Sequence, residues 1–267
     1  MNPLRYGRIP YVNVAPVETA FDRGAVTRAV EVVRGVPTAL NAALAAGEID
    51  VAAISAAHYL RHRDRFVPLG DLCIAADGPV RSVVFASPVA PEAVGEISIA
   101  VTRDSASGRA LLETILRRYP HAQPSYDVVD DALAQARAHR PTLLIGDDAL
   151  SARAELPPEQ VFDLGEAWRG WTGLPFVFGL WCVRRDLLAS RPDDVEALRA
   201  ALTEARAWGA VNRETVIDAA FVQRPFSREL YDDYFTCLSY TLGDRARRGL
   251  EHFAELLPPE EALRVAG

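Results

Sequence analysis

The sequence lacks several features that would assign it at once to a class of protein. Its only cysteines, Cys73, Cys182 and Cys237, are widely separated and outside any C-x-x-C spacing, so neither a disulfide framework nor a zinc site is indicated. No apolar run is long enough to span a bilayer, and residues 1–8 lack the pattern of a secretory signal. We therefore expect a cytoplasmic protein whose cysteines are buried small hydrophobic residues.

Basic charge is also scarce. The chain has 29 Lys and Arg against 36 Asp and Glu, which gives a formal net charge of -7. A protein that binds nucleic acid or an anionic membrane needs an excess of basic residues on some face, so neither partner is expected. An anionic ligand would have to be held by a local arrangement of hydrogen-bond donors, because the overall field repels it.

Catalytic and metal-binding motifs are equally hard to find. There is no G-x-S-x-G elbow and no Walker glycine loop. His58 and His62 would share one helix face, but Arg61, Arg63 and Arg65 crowd the same segment and no acidic ligand lies nearby. We interpret that segment as a solvated helix surface, and we predict neither a metal nor an organic cofactor.

Short apolar runs that alternate with helical patterns indicate an α/β protein. The chain has 267 residues, of which 49% are hydrophobic, enough for one large domain or two smaller lobes. The predicted strands are 30–33, 50–54, 97–101 and 142–145, and the predicted helices are 37–46, 108–118, 195–211 and 243–257, with further helices through Phe235.

Two extended segments, 80–86 and 175–183, each follow a Gly/Pro turn and look like connections between lobes. On this interpretation residues 1–86 and 175–267 form lobe 1, residues 87–174 form an inserted lobe 2, and a double hinge closes a central cleft that holds the ligand. The C-terminal helices would pack outside lobe 1. A homodimer formed through these helices is the alternative, because the two arrangements have the same amphipathic sequence pattern. A single doubly wound domain is the alternative architecture.

Residues 8–16, with the sequence Arg-Ile-Pro-Tyr-Val-Asn-Val-Ala-Pro, are the most informative stretch. They predict a short strand, then a turn that carries Asn13, then a helix with Pro16 at its first position. Such a junction faces ligands in many α/β proteins. The alternative is that Asn13 only caps the helix.

Further polar residues stand where apolar runs end or helices start, positions at which backbone N–H groups lack partners and attract carboxylates or phosphates. Each one taken singly is also compatible with routine helix capping. These residues are Ser55, Ser82, Ser105, Ser107, Asp147, Thr172 and Gly173. Nearby, Trp168 and Trp171 would either line an apolar pocket or fill the core.

Several motifs occur together and in order between Arg8 and Trp181. They are residues 8–16, Gly35-Val36-Pro37, Gly78-Pro79-Val80-Arg81-Ser82-Val83, Gly146-Asp147-Asp148-Ala149-Leu150, residues 163–168, and Thr172-Gly173-Leu174-Pro175. This combination resembles the chorismate dehydratase family of the futalosine route to menaquinone. The resemblance implies a two-lobed α/β fold like that of type 2 periplasmic binding proteins, and a cytoplasmic hydro-lyase that converts chorismate into 3-[(1-carboxyvinyl)oxy]benzoate and water.

The resemblance also implies roles for individual residues. Tyr11 and Asn13 match a family motif at the active site, and Ser82 matches a serine expected beside the substrate. Ser107 replaces a family threonine in the turn that starts at Ser105. Gly108 lacks the last hydroxyl of that turn, so only its backbone amide is available to a carboxylate.

The chemistry implied is removal of the proton on C3 of chorismate, delocalisation of charge onto the ring carboxylate, and loss of the C4 hydroxyl. We hypothesise that the enolpyruvyl carboxylate of the substrate takes the proton, while Asn13 positions it or hydrogen-bonds the departing hydroxyl. Asp147 is the second candidate for a base or an orienting group.

Two other functions remain open from the sequence. 1,4-Dihydroxy-6-naphthoate synthase is similar to this family in fold, but it is expected to carry an acidic turn near the start and a catalytic histidine. The corresponding turn here is Tyr11-Val12-Asn13, and no histidine lies at a polar turn. A non-catalytic solute-binding protein for a small carboxylate is the third possibility.

Overall fold

The computed structural model describes residues 2–104 and 106–259 and divides into two compact units. Unit 1 comprises Met1–Ala75 and Gly179–Gly243, and unit 2 comprises Ala76–Phe178 and Asp244–Gly267. The chain therefore passes between the units three times. No helix among the described residues is long and apolar enough to cross a membrane.

The described residues form eleven strands and twelve α-helices. The strands are β1 (Leu4–Arg8), β2 (Val30–Arg34), β3 (Val51–Ser55), β4 (Phe66–Ala76), β5 (Val83–Ala86), β6 (Glu96–Val101), β7 (Gln123–Val128), β8 (Thr142–Ile145), β9 (Val161–Asp163), β10 (Phe176–Arg184) and β11 (Leu238–Thr241). The helices are α1 (Ala15–Asp22), α2 (Pro37–Ala46), α3 (Ala56–Arg61), α4 (Ala106–Leu116), α5 (Ala132–Arg137), α6 (Gly146–Glu155), α7 (Leu164–Thr172), α8 (Arg185–Ser190), α9 (Pro192–Val211), α10 (Arg213–Gln223), α11 (Arg228–Cys237) and α12 (Asp244–Leu256).

Unit 1 is built on a six-stranded sheet with the order β11-β4-β10-β3-β1-β2. Strands β2, β1 and β3 are parallel neighbours, and β10 runs antiparallel to β3. Strand β3 is almost completely buried, as its continuous run of small apolar residues predicts. Helix α9 packs closely against α1, because Gly209 lies against the carbonyl of Pro16 and a Cβ there would be only 1.8 Å from that oxygen.

Unit 2 is built on a five-stranded sheet with the order β7-β6-β8-β5-β9. Strands β7, β6 and β8 are parallel, whereas β5 runs antiparallel to both β8 and β9. Its core includes Trp168, which is completely buried and contacts the rings of Phe176 and Phe253. Core packing is therefore confirmed for one of the two tryptophans, while Trp171 is half-buried beneath the guanidinium of Arg118.

The α/β class is confirmed, and most of the predicted elements are present within two or three residues of their predicted limits. Helix α2 ends as predicted at Gly47, which has a left-handed φ of 76°. The first strand differs, since β1 covers Leu4–Arg8 and ends at the residue where the predicted strand begins. Pro10 explains this difference, because proline has no N–H to donate to a sheet.

The predicted lobe limits at residues 87 and 174 differ from those of unit 2. Residues 76–86 lie in unit 2 because β5 hydrogen-bonds with β8 and β9. Helix α12, expected outside lobe 1, also lies in unit 2, where Phe253 packs on Trp168 and Phe176. Cys73 and Cys182 are buried as predicted, and Cys237 is half-buried.

Candidate functional site

In unit 1, three of the predicted residues follow parallel strands that lie side by side. Tyr11 and Asn13 come after β1, and Ser55 is the last residue of β3. Because the carboxyl ends of parallel strands meet at one edge of a sheet, these residues share that edge. Unit 1 thus brings together Tyr11, Asn13 and Ser55.

Asn13 is the middle residue of a 3-10 helix, Val12–Val14, that joins β1 to α1. Tyr11 precedes that helix, and Val14 is the residue before α1, with no side-chain capping bond at either position. The interpretation of Asn13 as a helix cap is therefore wrong. Its side-chain Oδ1 is buried and has no hydrogen-bond partner among the described residues, so the amide oxygen is available to a ligand.

The backbone of Asn13 is held by a residue that is distant in the sequence but belongs to the same unit. The hydroxyl of Tyr240, in β11, donates a hydrogen bond of 2.7 Å to the Asn13 carbonyl. Arg206 in turn donates to the carbonyl of Tyr240 at 3.0 Å and to the carboxylate of Asp71 at 3.0 Å. Sequence reasoning did not find these residues, because 227 positions separate Tyr240 from Asn13.

Ser55 already has a structural role. Its hydroxyl accepts a hydrogen bond of 3.3 Å from the backbone N–H of His58 and so caps α3. The capping interpretation is confirmed for this residue, and its contact with a substrate stays a prediction.

His58, in α3, and His62, which directly follows α3, are less exposed than a solvated surface requires, which corrects that interpretation. The ring of His58 packs against those of His62 and Phe66. Burial, together with the nearby His62 and Arg61, lowers the pKa of His58 to about 4. His58 is therefore a weak base at neutral pH.

In unit 2, three helices begin at one edge of the sheet. The carboxyl ends of β6, β8 and β9 lie there beside the amino end of β5. Helices α6 and α7 start immediately after β8 and β9, and α4 starts at Ala106, after a short connection from β6. The first N–H groups of each helix have no partner inside the helix, and the helix dipole makes such positions favourable for anions. This edge is therefore suited to carboxylates.

Ser82 and Asp147 meet at that edge. The N–H of Gly146, at the start of α6, donates to the carbonyl of Ser82 at 2.8 Å. Both side chains are buried, with 5% and 6% of their surface exposed. The hydroxyl of Ser82 lies 3.5 Å from the carbonyl of Val80, at the limit of a hydrogen bond.

Ser107 and Gly108, in the first turn of α4, lie at the same edge. Gly108 packs so closely on β5 and β8 that a Cβ would be 3.1 Å from Ile145 and 3.4 Å from Val83. The hydroxyl of Ser107 is buried and has no hydrogen-bond partner in the part of the chain that the structure describes. Unit 2 thus brings together Ser82, Asp147, Ser107 and Gly108, while Ser105 falls outside the described residues.

Asp163 organises the turn before Ser82, a role that the sequence analysis missed. Its carboxylate accepts the N–H groups of Val80 at 3.0 Å and Arg81 at 2.7 Å, and it caps α7 through Gly165 and Glu166. Arg81 has a left-handed φ of 67°, a strained conformation for a residue with a side chain. The Asp-Leu-Gly-Glu sequence at 163–166 is a recognisable helix start and was the available signal.

Thr172 and Gly173 were predicted where an apolar run ends or a helix starts, and the structure places them at the carboxyl end of α7. Thr172 ends α7 and donates to the carbonyl of Trp168 at 2.9 Å, and Gly173 terminates the helix with a φ of 71°. A helix carboxyl end presents carbonyl groups, which do not attract a carboxylate. The local geometry therefore gives no support for anion binding at Thr172 and Gly173, and their role stays a prediction.

Comparison with known proteins gives a consistent result. A family model described as menaquinone biosynthesis matches residues 4–258. A chorismate dehydratase from Thermus thermophilus is 33% identical over 273 residues, which cover 96% of each chain. A 1,4-dihydroxy-6-naphthoate synthase from the same organism is 27% identical and covers 96% of this chain and 94% of its own.

Solved structures extend the likeness in fold. The periplasmic aliphatic sulphonate-binding protein of Escherichia coli superposes with a TM-score of 0.68 at 16% identity, covering 95% of this chain and 90% of its own. The two-lobed, periplasmic-binding-protein-like α/β fold is thereby confirmed.

Proposed function

The chain belongs to the menaquinone biosynthesis family, and we propose that within it this protein is a chorismate dehydratase. The observation that carries the proposal is the 33% identity to the chorismate dehydratase of Thermus thermophilus over almost the full length of both chains. The lower identity to the naphthoate synthase favours the same choice. On this proposal the protein is an enzyme that acts on a small dicarboxylate.

The reaction is an elimination of water. The C3–H and C4–O bonds of chorismate break, a double bond forms between C3 and C4, and the ring becomes aromatic. The proton from C3 and the hydroxyl from C4 leave together as water. While the C3 proton is being removed, negative charge spreads through the ring diene onto the ring carboxylate, so donors aimed at that carboxylate lower the barrier.

The edge of unit 2 is suited to supply such donors. The donors there are the backbone amides at the starts of α4 and α6 and the hydroxyls of Ser82 and Ser107. These uncharged groups bind an anion through direct hydrogen bonds, although the whole chain has a net charge of -7. The buried, unpartnered Ser107 hydroxyl supports this role, because a buried donor of that kind costs about 1–3 kcal/mol when nothing accepts from it. Gly108 contributes its backbone N–H alone.

Asn13 supplies a hydrogen-bond acceptor. Its buried Oδ1 has no partner among the described residues and fits a substrate hydroxyl, which donates to it. We assign it to the C4 hydroxyl, whose orientation decides how readily the C–O bond breaks. An amide is a very weak base, so Asn13 orients the substrate and does not take the proton.

The base on this proposal is the substrate itself. All 29 basic residues are arginine, so no lysine is available, and the low pKa of His58 makes its ring a poor acceptor. The enolpyruvyl carboxylate of chorismate is attached through oxygen to C3, close to the proton that leaves. Asp147 remains the alternative base or orienting group.

The test is to incubate the purified protein with chorismate and to follow the ultraviolet and proton NMR spectra. The proposal predicts loss of the cyclohexadiene signals and stoichiometric appearance of 3-[(1-carboxyvinyl)oxy]benzoate. Unchanged chorismate without bound ligand would favour the naphthoate synthase alternative, and saturable binding without conversion would favour a solute-binding protein. The cytoplasmic location, the absence of cofactors and the homodimer stay predictions.

A further inference from the structure

Tyr240 makes a contact that the proposed reaction does not yet account for. Its hydroxyl donates a 2.7 Å hydrogen bond to the backbone carbonyl of Asn13. We propose that Tyr240 is a positioning residue, which fixes the 3-10 helix so that the Asn13 side chain meets the substrate in one orientation. The inference rests on the proposed function, because it takes Asn13 to act on chorismate.

The 3-10 helix is too short to fix Asn13 by itself. It has three residues, and its first backbone bond, from the N–H of Val14 to the carbonyl of Tyr11, is long at 3.4 Å. The side chain of Tyr11, at its N-cap position, makes no capping hydrogen bond. Since a single turn of helix is unfavourable without outside contacts, the bond from Tyr240 is a substantial part of its support.

Tyr240 is itself anchored through its backbone. Arg206 donates to its carbonyl at 3.0 Å and also binds the carboxylate of Asp71, whose own carbonyl accepts the N–H of Leu242 at 2.7 Å. Helix α9 and strand β4 therefore hold the carboxyl end of β11, where Tyr240 lies. The position of the Tyr240 hydroxyl is set before any substrate binds.

Tyr240 lines a cavity of about 360 Å³ together with Val216 and Phe235. Burial raises the pKa of Tyr240, which keeps its hydroxyl protonated and able to donate at neutral pH. Loss of the hydroxyl would leave the ring and the Asn13 carbonyl free to shift relative to each other.

The first experiment measures chorismate turnover by the full chain carrying Tyr240→Phe. Because small misplacements of a reacting group slow catalysis more than they weaken binding, we expect kcat to fall roughly tenfold with KM changed less than about threefold. The matched control is Tyr231→Phe, which removes a buried hydroxyl bonded to the carbonyls of Ala220 and Arg224 in the same unit. Equal effects of the two variants on kcat would overturn the inference.

A double-variant cycle separates positioning from general destabilisation. If Tyr240 acts through Asn13, adding Tyr240→Phe to Asn13→Ala lowers kcat by less than about twofold further. An additional tenfold loss would show that Tyr240 acts independently of Asn13 and would contradict the proposal.

Amide hydrogen exchange tests the contact without any use of activity. We expect the Tyr240→Phe variant to exchange faster than wild type over residues 12–16, and Tyr231→Phe to leave that segment unchanged. If the wild-type protein fails to convert chorismate, the proposed function falls, and faster exchange still supports positioning of Asn13 by Tyr240. Unchanged exchange over residues 12–16 overturns the inference in either case.

Discussion

Asn13 carries a side-chain carbonyl that is buried and, within residues 2–104 and 106–259, accepts no hydrogen bond. An acceptor left in this state costs about 1–3 kcal/mol, so a folded protein retains one only where something else balances the cost. Asn13 stands where a parallel strand ends, and a substrate hydroxyl would provide the missing bond. The oxygen of Asn41 is also buried without a partner among the described residues, but Asn41 lies in the middle of α2 and not in the segment that follows a strand.

The two candidate bases are the enolpyruvyl carboxylate of the substrate and the side chain of Asp147, and a substitution at Asp147 distinguishes them. If the enolpyruvyl carboxylate of the substrate takes the proton, Asp147→Asn lowers kcat by less than about tenfold and keeps the acidic limb of the pH–rate profile. The measurement is kcat for chorismate between pH 4 and 8. Disappearance of the acidic limb in the variant would assign the proton transfer to Asp147.

His58 makes folding stability depend on pH. Its folded pKa of about 4 lies below the unfolded value near 6.5, so the unfolded chain binds the proton first and stability falls as the pH drops from 7 towards 4. Since the ring is half-buried, we expect His58→Gln to reduce the loss between pH 8 and pH 5 by about 1–2 kcal/mol. Urea unfolding of both proteins at these pH values measures it. Parallel stability curves would contradict it.

At the residue scale, the sequence identified the candidate site residues better than it identified the residues that hold them through hydrogen bonds. Asn13, Ser82 and Asp147 stand in recognisable local patterns, at strand ends and helix starts. Tyr240 and Arg206 do not, because Tyr240 bonds to Asn13 across 227 positions and Arg206 bonds to Asp71 across 135. The Thr172-Gly173-Leu174-Pro175 sequence is a typical helix end, and the structure shows that α7 ends there.

Among the elements, the turn between β4 and β5 depends on one carboxylate. Asp163 accepts two N–H groups from that turn and two from the start of α7. These hydrogen bonds fix the position of the turn beside Ser82, although the backbone of Arg81 within the turn is strained. Asp163 thus links the stability of two elements to the shape of the candidate site.

We expect Asp163→Ala to destabilise the protein by about 3 kcal/mol and to raise KM for chorismate. Asp131 offers the matched control in the same unit, since it caps α5 through the single N–H of Ala134 at 2.8 Å. Asp131→Ala is expected to cost about 1 kcal/mol and to leave KM unchanged. Thermal unfolding and steady-state kinetics check both variants, and equal losses of stability would refute the linking role of Asp163.

The elements that could be predicted were those with a regular hydrophobic period or clear signals at their ends. Helix α2 has Pro at its start and Gly at its end, and α9 is long and amphipathic, so each was found from the sequence. Strand β4 was missed, since Pro68 and Gly70 interrupt its apolar pattern. Neighbouring strands supply the hydrogen bonds that keep such a segment extended.

For the whole molecule, the α/β class followed from alternating strands and helices, and the two-lobed interpretation followed from the extended segments 80–86 and 175–183. The limits of the units did not follow from either pattern. Assigning 76–86 and α12 to unit 2 depends on sheet pairing and on the aromatic cluster around Trp168. Neither leaves a local mark in the sequence. In contrast, one property of the entire chain can be read directly from composition, namely its net charge of -7.

That net charge predicts how the encounter with a dicarboxylate depends on salt. Added salt screens the repulsion between the protein and chorismate, so kcat/KM is expected to rise, by less than about threefold, between roughly 10 and 150 mM NaCl. Initial rates at low substrate concentration measure this dependence. A fall in kcat/KM over the same range would mean that a local positive field governs the encounter.

The central claim is that this protein dehydrates chorismate and that Asn13 orients the substrate for the elimination. Its most direct test is kcat for formation of 3-[(1-carboxyvinyl)oxy]benzoate by the wild type, by Asn13→Ala and by the control Asn41→Ala. We predict product from the wild type, a loss of about a hundredfold or more in Asn13→Ala, and a change below about threefold in Asn41→Ala. Absence of product from the wild type, or wild-type turnover by a correctly folded Asn13→Ala, would contradict the account.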